Sequence, residues 1–171
     1  MRKLPRFYWD ACAWIAYIGR EMPSADSKFT DRRFEMCREV LKGAQDGGLE
    51  IVTSTFTLAE VCKRKDTVGQ AGNLSAFFDQ PFILLVDVIK PIASRAQAMQ
   101  QAGIAGLKPP DAVHLASAIW ADVSVFHTFD KRLLDLSGNF TTKSGKALQI
   151  MKPTEEKGRL PLLEGIEDDE E

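Results

Sequence analysis

Four short apolar runs, each followed by a segment of helical periodicity, restrict this chain more than any other feature of it. The first, residues 6–10 (Arg-Phe-Tyr-Trp-Asp), is aromatic and brief, as suits a strand ending at Asp10. The others cover residues 49–53, 82–86 and 124–128. Phe82, Ile83, Leu84, Leu85 and Val86 are apolar without alternation, which predicts a strand covered on both faces. Residues 147–151 suit a last edge strand before Pro153. Strands that alternate with helices define an α/β class: a single domain with a mostly parallel central sheet flanked by helices.

The intervening segments carry the helical signals. Trp14, Ile15 and Ile18 recur at helical spacing over residues 11–18, and Gly19 stops that helix. Residues 19–30 have loop composition. Asp31 suits the cap of a second helix with stripe Phe34, Cys37, Leu41 and Ala44, ended by Gly47 and Gly48. A third opens at 54–57 and carries Leu58, Glu60, Val61 and Cys62; a fourth, over 73–80, turns Leu74, Phe77 and Phe78 inward. Pro91 starts a helix that runs to about 102 with Ile92, Ala96 and Met99 on one side, and 131–136 is a short last helix. The strongest of these signals is residues 108–119. Pro109 and Pro110 fit only where a helix begins, and Ala112, Leu115, Ala116 and Ile119 then recur at i, i+3, i+4 and i+7. Asp111 therefore falls in a first helical turn, where free N–H groups favour a carboxylate.

At 171 residues, 44% of them hydrophobic and 27% charged, the chain has the make-up of one soluble globular domain. No apolar run approaches the roughly 20 residues of a membrane helix. No signal-peptide pattern follows the charged start at Met1, so a cytoplasmic address is expected. Cys12, Cys37 and Cys62 are odd in number and form no C-x-x-C pair, against a disulfide framework or a zinc site; buried, reduced thiols are expected. The net charge of −2 is uneven. Residues 154–171 carry eight acids and two bases, whereas residues 1–153 carry sixteen acids and twenty bases and permit a polyanionic partner. The domain is therefore expected over 1–153, with 154–171 as a solvated acidic tail. A sharper reading of that tail is an intramolecular mimic of such a polyanion, competing for the basic residues.

In open parallel sheets, ligands collect outside the carboxyl ends of the strands. Asp10 ends the first predicted strand, Asp130 lies two residues past the fourth, Asp111 opens the helix before it, and Glu60 follows the second. Four acids from four segments thus reach one edge of one sheet. Each has a plainer role open to it: Asp10 and Asp130 also suit helix caps, and Glu60 stands three and four residues before Lys63 and Arg64. Converging carboxylates raise one another's pKa and call for a hard cation with oxygen ligands, Mg²⁺ or Mn²⁺. Such a site suits phosphoryl chemistry.

Tyr-Trp-Asp10-Ala-Cys, Leu-Ala-Glu60-Val, Pro-Asp111-Ala-Val-His-Leu-Ala-Ser-Ala and Thr128-Phe-Asp130-Lys-Arg-Leu resemble, in order and spacing, the signature of PIN domains. They are most similar to the VapC-type toxins of bacterial and archaeal toxin–antitoxin pairs. The match covers roughly residues 6–151. The resemblance implies metal-dependent cleavage of RNA, with Asp10, Glu60, Asp111 and Asp130 as the acidic metal-binding set and Thr128 as a supporting hydroxyl. It also implies an antitoxin partner and a homodimer. The loop at 19–30 and the acidic tail depart from the family pattern.

Lys108, Lys131 and Arg132 flank the acids and suit phosphate contacts, or a merely solvated rim. His114, three residues after Asp111, is expected to be packed or hydrogen-bonded rather than a general base, and His127 to be structural. Trp14 and Tyr17 offer stacking surfaces for bases, although Trp14 shares a stripe with Ile15 and Ile18 and reads better as core. Two further classes stay open: a DNA-directed nuclease, and a catalytically idle module serving as a protein-interaction scaffold.

Overall fold

A computed structural model of the chain describes residues 4–23, 30–62 and 71–154. Parts of the loop at 19–30, Lys63 and Arg64, and the acidic tail beyond Thr154 lie outside the described residues. The elements run β1 (Arg6–Trp9), α1 (Ala11–Ile18), α2 (Arg33–Gln45), β2 (Glu50–Ser54), α3 (Phe56–Val61) and α4 (Ala71–Phe78). They continue through β3 (Ile83–Val86), α5 (Lys90–Gln101), α6 (Pro109–Trp120), β4 (Val125–His127), α7 (Lys131–Leu134) and β5 (Gln149–Met151). Among the described residues no helix is long and apolar enough to cross a membrane.

The five strands form one sheet in the order β3-β2-β1-β4-β5, and every pairing is parallel. From β1 the chain steps outward to β2 and β3, then returns to place β4 on the other side of β1. The direction of winding reverses between β1 and β4, and in such sheets the crevice lies at that reversal.

Alternation along β1 sends its side chains to two cores. Phe7 and Trp9 join Trp14, Cys37, Leu41 and Phe78 on the face covered by α1, α2 and α4. Tyr8 joins Val52, Ile92, Leu115, Ile119 and Phe126 under α5 and α6. The small residues of α6 let it lie close to the sheet, and Ala112, Leu115, Ala116 and Ile119 are all buried, as their spacing predicts.

Three expectations need correction. Asp31 does not cap α2: its carboxylate takes the Lys152 ammonium at 2.9 Å, and the cap position belongs to Arg32, with no side-chain bond. The 82–86 run is an edge strand rather than one covered on both faces, and Leu85 is exposed. Of the cysteines only Cys37 is buried; Cys12 is half-buried, and Cys62, at the end of the single-turn α3, is exposed.

Candidate active site

Asp10 is where β1 becomes α1. Its backbone is extended and its Oδ1 accepts from the Ala13 N–H at 3.0 Å, so the carboxylate caps the helix as its position suggested. Asp130 does the same for α7, accepting from the Arg132 N–H at 2.9 Å. Between them stands Thr128, buried at the end of β4. Its hydroxyl oxygen accepts from the Asp130 N–H at 3.0 Å, and the hydroxyl donates to Asp10. One threonine thus links the Asp10 carboxylate to the backbone of Asp130 across the reversal point of the sheet.

Asp111 enters from α6. Pro109 opens this helix, and the Asp111 Oδ2 accepts from the Lys108 N–H at 3.3 Å. The three aspartates share one region of charge. Burial drives the Asp10 carboxyl up to about 6; His114, the Thr128 hydroxyl and the Ala13 N–H oppose the rise, and Asp111 adds to it. Asp111 is likewise raised, chiefly by burial and also by Asp130, against the Lys108 N–H. All three also hold the half-buried Cys12 thiol protonated, behind the burial that dominates its shift.

Glu60 joins differently. Its Oε2 lies 2.7 Å from His114 Nε2, and the other ring nitrogen, Nδ1, lies 2.9 Å from the Tyr8 hydroxyl. The chain Tyr8–His114–Glu60 runs from β1 through α6 to α3. Tyr8 and His114 are buried, and the Glu60 side chain is 13% exposed at the rim. Glu60 is therefore no freely solvated surface carboxylate, and the histidine is hydrogen-bonded as expected. His127, on the other face of the sheet, takes the Trp9 indole N–H on Nδ1 at 3.1 Å and has a structural place. Trp14 is core, and Tyr17 stacks on Phe34 and Phe77.

The cations sit at the rim. Lys108, Lys131 and Arg132 are exposed. The Arg132 guanidinium lies 3.5 Å from both Asp130 oxygens, and its stem passes Gly106, where an added Cβ would stand 3.2 Å from Arg132 Cδ. Gly106 also has φ +76°, so glycine suits this close approach of the α5–α6 loop to α7 on two counts.

This donor set suits a hard divalent cation: its members are carboxylates, and no Lys or Arg among the described residues pairs with Asp10 or Asp111. Burial lifts two of these groups first, and the mutual repulsion that adds to it is what a cation would relieve. Among the described residues, no three His, Cys, Asp or Glu side chains are drawn together as a finished coordination shell. The carboxylates instead accept from local N–H groups.

Sequence reasoning singled out the four acids and gave Tyr8 no role. The alternation of β1 carried the signal, since Tyr8 lies two residues before Asp10 and so shares its side of the strand.

A family model described as the PIN domain matches residues 7–139. No curated protein gives a sequence match. Among solved structures, the fold is similar to that of Mycobacterium tuberculosis VapC20, described as a sarcin–ricin loop cleaving toxin. That likeness has a TM-score of 0.54 at 16% identity, over 73% of this chain and 90% of that one. It is also similar to a chain of a toxin–antitoxin complex from Klebsiella pneumoniae, with a TM-score of 0.52 at 18% identity, over 72% and 85% of the two chains.

Proposed function

The chain belongs to the PIN-domain family, and on that premise we propose that it is a metal-dependent endoribonuclease of the VapC type, the toxin of a toxin–antitoxin pair. The observation that carries this reading is the electrostatic coupling of Asp111 to both Asp10 and Asp130, where the sheet reverses its winding. The likeness to a toxin fold and to a chain of a toxin–antitoxin complex supports the choice within the family.

In this reading Asp10, Asp111 and Asp130 hold the cation, Mg²⁺ or Mn²⁺, and Glu60 completes the set directly or through water. The bound ion supplies a Lewis acid for water and for the scissile phosphate. Thr128 keeps Asp10 and Asp130 in register through its one hydroxyl. Lys108, Lys131 and Arg132 take the phosphates on either side of the scissile bond, and Arg132 exchanges its Asp130 contact for one of them. A cognate antitoxin offers a basic side chain to the same acids, two copies of the toxin pair as a homodimer, and the protein works in the cytoplasm on single-stranded or structured RNA.

The test is cleavage of an end-labelled RNA pool by the purified chain with Mn²⁺, beside Asp111→Ala prepared identically and beside a DNA pool of matched sequence. Metal-dependent RNA fragments from the wild type alone are expected, with the variant slower by at least ~100-fold, the several kcal/mol a metal site contributes. Equal fragments from both proteins would remove the assignment. Cleavage of DNA in preference to RNA would make it a DNA-directed nuclease, and failure to bind Mn²⁺ at all would leave the idle scaffold.

A further inference from the structure

Three of the four acids are fixed by backbone N–H groups of their own helices. Glu60 instead accepts from a side chain, and that side chain comes from a different helix, 54 residues away. An ionised carboxylate only accepts hydrogen bonds, so the proton on His114 Nε2 points at Glu60 whether the ring is neutral or charged. Nδ1 is then left for Tyr8. The Tyr8 phenol is kept protonated, its pKa raised well above 10 by burial before any other cause, so it has a hydrogen to donate. Ser54 lies against the same phenol and favours its charged form, against the burial. Ser54 also accepts the Phe56 N–H at 3.0 Å, where α3, the helix of Glu60, begins. The imidazole is thus held from behind, and its front edge is committed to a single oxygen.

We propose that His114 is a positioning residue for the acidic site: anchored by Tyr8, it fixes Oε2 of Glu60 and leaves Oε1 as the oxygen for a cation or for water upon it. This rests on the metal-dependent reading above and assigns roles to residues which that reading leaves unused. Ligating carboxylates are commonly held by such outer hydrogen bonds, and loss of the outer partner weakens metal binding by about 10- to 100-fold.

The experiment is calorimetric titration of the full chain with Mn²⁺ at neutral pH, with circular dichroism as the check of fold. His114→Phe is expected to bind about 10- to 100-fold more weakly than wild type. His114→Gln, whose amide N–H reaches the place of Nε2, recovers most of that affinity. In a Glu60→Gln background, His114→Phe makes no further difference, because its effect passes through Glu60. A folded His114→Phe that binds Mn²⁺ as the wild type does would overturn the proposal. So would an equal loss in the Glu60→Gln background, since that is the mark of a merely structural residue. Should His114→Phe fail to fold, Tyr8→Phe and His114→Gln carry the decision: weakening by Tyr8→Phe that exceeds that by His114→Gln supports it, and no weakening in Tyr8→Phe sinks it. Wild type that does not bind Mn²⁺ removes the metal reading and this inference together; wild type that binds while His114 proves indifferent removes this inference alone.

Discussion

Two histidines sit on opposite faces of the sheet in settings that match at one nitrogen and differ at the other. Each is buried, and each has its Nδ1 against a neighbouring residue of β1: the Tyr8 hydroxyl for His114, the Trp9 indole N–H for His127. On the α6 face Nε2 meets the Glu60 carboxylate; on the α1 face Nε2 is buried with no partner among the described residues. An indole N–H only donates, so His127 Nδ1 accepts and Nε2 carries the proton of a neutral ring. Burial alone then depresses its pKa to about 3. One ring is an outpost of the acidic site, and the other is a piece of core. What separates them is whether a carboxylate stands beyond Nε2.

The largest effect expected from this contrast appears in acid. His127 titrates at about 6.5 unfolded and about 3 folded, so protons favour the unfolded chain. The stability it contributes is whole above pH 6.5 and is lost as pH falls towards 3, at most about 5 kcal/mol. Urea unfolding of wild type and His127→Phe, in chelator, should give midpoints that converge and then cross on acidification, because the variant escapes this loss. Curves that stay parallel from pH 7 to pH 4 would break the contrast.

At neutral pH the order of the two sites reverses. His114→Phe strands Glu60 and deprives Tyr8 of one partner, a loss of about 1.5–3 kcal/mol for a hydrogen bond to a charged group. His127→Phe strands only the Trp9 N–H and removes a buried N–H that had no partner, so its net cost should be about 1–2 kcal/mol. Equal losses of urea midpoint in the two variants would mean that the Glu60 contact adds nothing to stability.

How far the sequence foretold this arrangement depended on the range of the interactions. Local signals read well. The 11–18 helix stopped by Gly19, the Pro109 start of α6 and its buried stripe all follow from neighbours within one or two turns. The acids at the strand ends were legible because the parallel α/β class itself says where ligands gather. Distant partners were not legible. Asp31 looked like a cap because nothing near it reveals Lys152, 121 residues on. Nothing near Glu60 in sequence reveals His114, 54 residues on, to which it bonds. The hydropathy of residues 82–86 does not encode strand order, so an edge position with Leu85 exposed was invisible to it.

The smallest expected effect sharpens the same contrast from the side of the acids. Asp10 is buried beside the site, with a carboxyl raised from 3.8 to about 6. Here protons favour the folded chain, opposite in sign to His127: the stabilisation is whole below pH 3.8 and is lost as pH rises through about 6. Above that pH the ionised group costs at most about 3 kcal/mol. Asp10→Asn keeps an oxygen for the Ala13 N–H while it removes the charge. In chelator it should therefore be more stable than wild type at pH 7.5, by up to that amount, and no more stable at pH 3.5. With Mn²⁺ added, the wild-type melting temperature should rise and the variant's stay in place, because the same charge that burdens the fold attracts the cation. A variant less stable than wild type at both pH values would show that Asp10 serves only as a cap; a variant stabilised at pH 7.5 but still responsive to Mn²⁺ would move the cation away from Asp10. The stability gained and the response lost belong to one carboxylate, and measuring both in one protein separates an acid held for chemistry from a histidine held for packing.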